Sequence, residues 1–249
     1  MSEKFKSLPQ RVAVAVVAIP AIVWLTILGG YYFFVLVAVL SGISLYEFYG
    51  LAKRKGSAPQ VQAGLAFGFL VNLAFIYDRL QIDLLRCFAS VGISPSMFTL
   101  HQFLLVVVLV FLLFVALVEL FRQKGSPIEN AGTTVAGVLL ISLFFGTLIQ
   151  TRELFPFGFP VAKFFSHAIA EPSDLLTIDR WGGCTIVAVF ASIWVCDTAA
   201  YFGGMTLGKH KLFERVSPNK TWEGAVFGFV FAVLTMIAAK FLVLDYLTV

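Results

Sequence analysis

Charge is scarce in this sequence. Asp, Glu, Lys and Arg make up 13% of its 249 residues, about half of the ~25% usual in water-soluble domains. Hydrophobic residues reach 59%, against roughly 45–50% for such domains. One aqueous core cannot hide that much apolar surface, which excludes a cytosolic enzyme and a secreted domain. Cysteine is also rare. Cys87, Cys184 and Cys196 form no C-x-x-C pair, so neither a disulfide framework nor a zinc site is indicated. Three histidines, His101, His167 and His210, are too few and too scattered for a metal cluster. Disorder is excluded by the 15% aromatic content, because chains that stay unfolded are poor in such residues. Acidic groups fall short of basic ones, 14 against 18, for a net charge of +4. In a chain this apolar the surplus sets membrane topology and implies no nucleic-acid partner.

What the chain has is long apolar runs. A helix needs ~20 mostly apolar residues to cross the hydrocarbon layer. Seven stretches qualify: Val12–Leu28, Tyr31–Leu51, Val61–Tyr77, Leu100–Phe121, Ala131–Gln150, Gly182–Gly203 and Trp222–Leu244. They are apolar on all sides instead of alternating, so they predict helices and not barrel strands. The expected fold is all-α, a polytopic bundle of about seven spans forming one integral membrane domain over residues 1–249. The first run follows a basic N-terminus but is long for a signal peptide. Gly29-Gly30 leads at once into the second run, which predicts a membrane hairpin.

Basic residues then orient the bundle. With the N-terminus in the cytoplasm, twelve of the 18 fall on that side: Lys4, Lys6, Arg11, Lys53, Arg54, Lys55, Arg122, Lys124, Lys209, Lys211, Arg215 and Lys220. The outer segments hold five, Arg79, Arg86, Arg152, Lys163 and Arg180. That bias fits the positive-inside rule and places the bundle in the cell (inner) membrane. The longest connection, Thr151–Trp181, starts with an aromatic, proline-broken stretch expected to rest at the outer interface. Gly64/Gly68 and Gly224/Gly228 have the spacing of close helix packing. Glu47 and Glu119, beside basic residues near span ends, are expected to snorkel or pair locally.

Polar residues concentrate between the sixth and seventh spans. Asp197 lies six residues before Gly203, roughly 9 Å along a helix. An ionisable group at mid-span costs ~2.5–3.5 kcal/mol on insertion scales. Asp197 therefore either bonds a neighbouring helix or serves a site, and Tyr201, four residues on, shares its face. The loop 204–221 follows, with Lys209, Lys211, Arg215 and Lys220 interleaved with Gly203, Gly204 and Gly208. A cation cluster can be a simple topology signal. Combined with glycines that let backbone amides approach a ligand, and with Ser217-Pro218 and Thr221 leading into a helix N-terminus, it describes a polyphosphate site at the cytoplasmic surface. Gly203 to Lys209 spells the start of a P-loop. His210 stands where that loop needs Ser or Thr, and no buried strand precedes it, so the P-loop is rejected. Glu223 either complements the helix dipole or works in the site, and Trp222 is an interface anchor.

Two motifs carry a resemblance. Asp197-Thr198-Ala199-Ala200-Tyr201 with Gly204 and Gly208-Lys209, followed by Ser217-Pro218-Asn219-Lys220-Thr221-Trp222-Glu223-Gly224, resembles the CDP-diacylglycerol synthases, or phosphatidate cytidylyltransferases. The match covers about thirty residues. The resemblance implies a membrane enzyme of phospholipid biosynthesis that transfers CMP from CTP to phosphatidic acid with a divalent cation, Mg2+ or another. It implies Asp197, Lys209, Lys220 and Glu223 as the catalytic candidates, with Asp197 also on the metal. Tyr201, Gly204, Gly208, Arg215, Ser217, Asn219 and Thr221 would line the substrates. CTP, phosphatidic acid and membrane lipid are the expected partners, and a homodimer is a further expectation.

The family's downstream signature, a histidine-glycine turn followed by an Asp-Arg-x-Asp cluster, is not met before Val249. The chain therefore reads as C-terminally incomplete relative to that family. Two other readings stand beside the enzyme: a truncated, non-catalytic relative, and a transporter or flippase with an anion-binding loop. A transporter should show broken helices in both halves, whereas polar breaks occur only near Asp197.

Overall fold

The computed structural model describes residues 8–93, 95–154, 172–214 and 217–244, with side chains described from residue 15 and, in the helix beginning at Pro172, from residue 178. The chain folds as an all-α membrane bundle. Packing divides it into two compact units, Met1–Leu154 and Phe155–Val249, where the sequence reads as one domain.

The first unit holds α1 (Leu8–Leu28), α2 (Gly30–Arg54), α3 (Val61–Phe75), α4 (Tyr77–Ser90), α5 (Leu100–Phe121), α6 (Pro127–Gly137) and α7 (Leu143–Arg152), with a π turn at Val138–Ser142 joining the last two. Its core gathers Leu45, Tyr49, Val71, Val107, Phe111, Val115 and Val138. Tyr49 is the largest of these; its hydroxyl donates to the Thr134 carbonyl at 2.7 Å. Gly64 and Gly137 give its ring room, since a Cβ at either would strike it. Gly64 and Gly68 thus pack closely, as their spacing suggests. The start of α5 is fixed by a capping box, Thr99 accepting from the Gln102 amide at 3.3 Å while Gln102 Oε1 accepts from the Thr99 amide at 2.9 Å.

Ionic groups stitch both ends of this unit. At one end Glu119 is buried. Its Oε1 accepts from Gln60 Nε2 and Arg122 Nη1, both at 2.9 Å, and its Oε2 from Asn130 Nδ2 at 3.4 Å. Arg122 also donates to the Ala58 carbonyl at 2.7 Å. The α2–α3 and α5–α6 connections are thereby joined through one carboxylate, an instance of the expected local pairing. At the other end Arg152 donates from Nε to the Thr26 carbonyl at 2.9 Å and from Nη2 to the Ile27 carbonyl at 3.2 Å. A cation on the last carbonyls of α1 suits the helix dipole. It lies where Gly29, at φ 63°, has no side chain to obstruct it.

The expected count of about seven spans is slightly high. Five helical stretches are long and apolar enough to cross alone, and six if the bent pair α3 and α4 counts as one. The first run falls short because only Ala15–Leu28 qualifies as a shorter apolar helix. The third falls short because α3 has 15 residues, about 22 Å against ~30 Å of hydrocarbon. The chain then turns by 76° into α4, an amphipathic helix whose Asp83 accepts from the Tyr31 hydroxyl at 2.7 Å.

The second unit holds α8 (Pro172–Leu207), β1 (Lys211–Phe213), β2 (Ser217–Thr221) and α9 (Trp222–Leu242). The helix α8 begins at Pro172, so it takes up the later part of the expected outer connection. The remainder of that connection, 155–171, lies outside the described residues.

Candidate functional site

The site is built on the α8–α9 pair. Glycine lets these helices meet backbone to backbone. A Cβ on Gly224 would lie 2.7 Å from the Ala200 carbonyl oxygen and 3.1 Å from Gly204 Cα. One on Gly228 would lie 3.0 Å from the Cys196 carbonyl oxygen. Gly224 and Gly228 therefore do the packing that their spacing suggests. Gly204 sits within α8, and its carbonyl accepts from the Gly208 amide at 3.1 Å. Both glycines face Thr221. Their small size brings the end of α8 against the start of α9.

The intervening residues form a short hairpin where the sequence suggests only a loop. The strands β1 and β2 run antiparallel, with Lys211 opposite Thr221 and Phe213 opposite Ser217 and an irregularity between. Pro218 is tolerated because this two-stranded sheet has only edges. Thr221 caps α9 by accepting from the Gly224 amide at 3.2 Å. Lys211 Nζ donates to the Pro218 carbonyl at 2.6 Å. Lys209 and Lys220 are exposed, and among the described residues no carboxylate pairs with either. Asn219 is exposed and Ser217 partly so. Arg215 lies outside the described residues.

Glu223 is engaged at the base of the hairpin. Its Oε1 is 2.6 Å from His210 Nδ1, and the His210 amide lies 3.3 Å from each carboxylate oxygen. The Trp222 amide donates back to the His210 carbonyl at 2.9 Å. Its partner is thus a histidine, where the sequence suggested a lysine. The pairing spans 13 residues and joins a helix to a strand entrance, so no local spacing announces it.

Asp197 and Tyr201 occupy one flank of the α8–α9 contact, and both are exposed within this unit. Because α8 continues to Leu207, Asp197 stands ten residues from its end, about 15 Å, deeper than the 9 Å expected from a span ending at Gly203. On the opposite flank runs an apolar groove of about 450 Å³, lined by Trp194, Thr198, Phe202 and Thr206 of α8 and by Phe227 and Phe231 of α9. Nothing in the sequence distinguishes these aromatics from lipid-facing ones. Among the described residues no three of His, Cys, Asp and Glu converge to hold a metal. The donor set near Asp197 stops at one carboxylate, short of the six-oxygen shell a hard divalent cation takes. The chemistry carried by the described side chains is that of cations and hydrogen bonds.

A cationic hairpin closing a lipid-embedded helix pair is the geometry, and sequence comparison gives its lineage. A model of the cytidylyltransferase family matches residues 9–248. The chain belongs to that family. Among its relatives, the phosphatidate cytidylyltransferase of Synechocystis sp. is 26% identical over 225 residues, covering 88% of this chain and 68% of the relative. The phosphatidate cytidylyltransferase of Bacillus subtilis is also 26% identical over 225 residues, covering 90% of this chain and 68% of the relative. The Brucella suis enzyme of the same name is 47% identical over 78 residues, covering 30% of this chain and 29% of that protein. No solved structure matches.

Proposed function

We propose that this chain acts as a phosphatidate cytidylyltransferase, with the hairpin on the cytoplasmic side of the inner membrane. The exposed basic hairpin directly above an apolar, membrane-depth groove carries the reading. Such a site suits one substrate confined to the bilayer and another confined to water. The groove would take an acyl chain of phosphatidic acid, and Lys209 and Lys220 would meet its phosphate and the phosphates of CTP. Arg215 would add a third cation. A phosphatidate phosphate oxygen attacks the α-phosphorus of CTP. The new P–O bond forms as the α–β bridging bond breaks, and pyrophosphate leaves with the bonding electron pair. CDP-diacylglycerol results without a covalent enzyme intermediate.

The protein's share is position and charge neutralisation. Asp197 and Tyr201, on the flank away from the groove, would face the nucleotide side. Mg2+ would arrive with the triphosphate, its remaining ligands coming from substrate and water. The test gives membranes containing this chain labelled CTP and phosphatidate and looks for lipid-linked CMP. Wild type should form it. Lys220→Ala should lose about 10²-fold or more in turnover, the usual scale for one charge-stabilising donor, while inserting normally. Absence of lipid-linked CMP with wild type, or full activity in Lys220→Ala, overturns the reading.

A further inference from the structure

The contacts of Glu223 leave His210 with a role that neither the motif nor the family match assigns. Three features converge at these two residues. Glu223 Oε1 lies 2.6 Å from His210 Nδ1, both carboxylate oxygens face the His210 amide at 3.3 Å, and the Trp222 amide donates to the His210 carbonyl at 2.9 Å. An ionised carboxylate only accepts, so the proton sits on Nδ1. Bonds from a charged acceptor are the strong ones. The ring is 77% exposed and the carboxylate 23%. The pair thus stands at the surface as a fastening and not in a core.

What it fastens is the part of the chain that bears the cations. Lys209 precedes His210 and Lys220 precedes Thr221, which pairs across the sheet with Lys211. The hairpin strands have three and five residues and an irregular register, and an isolated two-stranded hairpin is marginal in water. Without closure at its base, the loop would lose the fixed placement of one lysine against the other.

We propose that His210 is a positioning residue: through Glu223 it locks the hairpin to the first turn of α9 and so holds Lys209 and Lys220 as one receptor for a polyphosphate. This rests on the functional reading above. His210 does not touch the reacting atoms. Its other ring nitrogen, Nε2, is not needed.

The test compares His210→Ala, His210→Asn, Glu223→Ala and the double variant His210→Ala/Glu223→Ala in membrane-embedded full-length chain. His210→Asn keeps an N–H donor close to the Nδ1 position. Two readouts are taken: amide hydrogen exchange over residues 211–221, and the separate kcat and KM for CTP. His210→Ala should speed exchange across the hairpin at least tenfold. It should raise the KM for CTP about tenfold with a smaller change in kcat. His210→Asn should recover most of both, and the double variant should be no worse than the poorer single one. Unchanged exchange in His210→Ala, multiplying losses in the double variant, or failure of His210→Asn to recover either readout overturns the proposal. If wild type forms no lipid-linked CMP, the functional reading fails on that result. The exchange data then decide the fastening alone.

Discussion

Glu119 shows how much one side chain can hold. It is buried with three donors from three places in the chain, Gln60, Arg122 and Asn130. Removing the carboxylate leaves Arg122 and two amides facing a void. Breaking a buried pair by deleting one partner costs ~3–5 kcal/mol. Glu119→Ala is therefore expected to lower the thermal midpoint of the detergent-solubilised protein by several degrees. Glu119→Gln, which keeps an acceptor, should lose less. A circular-dichroism melt reads both, and equal midpoints for Glu119→Ala and wild type would contradict the network. Sequence reasoning reaches the pairing with Arg122 because the two are three residues apart. It does not reach Gln60 or Asn130, which are brought in by tertiary packing.

At the scale of elements, the glycine seam between α8 and α9 governs the site's shape. A Cβ at Gly224 would press on the Ala200 carbonyl at 2.7 Å, and that atom is backbone and cannot swing aside. Gly224→Ala should push the helices apart and lift the start of α9 from Gly204. Turnover should then fall at least tenfold while the chain still reaches the membrane. The check is activity together with crosslinking between cysteines placed on the facing helices. Undiminished turnover and crosslinking would show that the seam is slack.

The elements themselves were largely legible. Every long apolar run became a helix, and Leu100–Phe121 has the bounds that hydropathy suggests. What hydropathy hides is α4, whose Asp78, Arg79, Asp83 and Arg86 break the apolar pattern although the residues are helical. It also hides the hairpin, since three-residue alternation in Lys211–Phe213 is too short to register as a strand. The motif residues were visible by type. The pairing of His210 with Glu223 and the groove beside Phe227 were not, because both depend on how α8 and α9 meet.

The whole molecule adds orientation. The charge bias places α4 outside and the hairpin inside, and Cys87, exposed on α4, is a native reporter of one side. With Cys184 and Cys196 replaced by Ser, a membrane-impermeant maleimide added to right-side-out vesicles should label Cys87. A cysteine placed at Asn219, on a background where Cys87 is also Ser, should react only after the membrane is opened. The reverse pattern would put the basic hairpin away from the nucleotide pool and end the proposed reaction.

The π turn at Val138–Ser142 has an effect far from where it lies. A π turn closes on the fifth residue ahead and not the fourth, so it takes up one residue more than an ordinary turn. Each helical residue swings the chain by about 100°. Excising a single amino acid there would restore regular winding and rotate all of α7 by that amount. The guanidinium of Arg152 would then be aimed away from the end of α1. The aim of that arginine is thus set by a surplus link ten positions upstream, and chain length, as much as chemistry, decides which carbonyls it reaches.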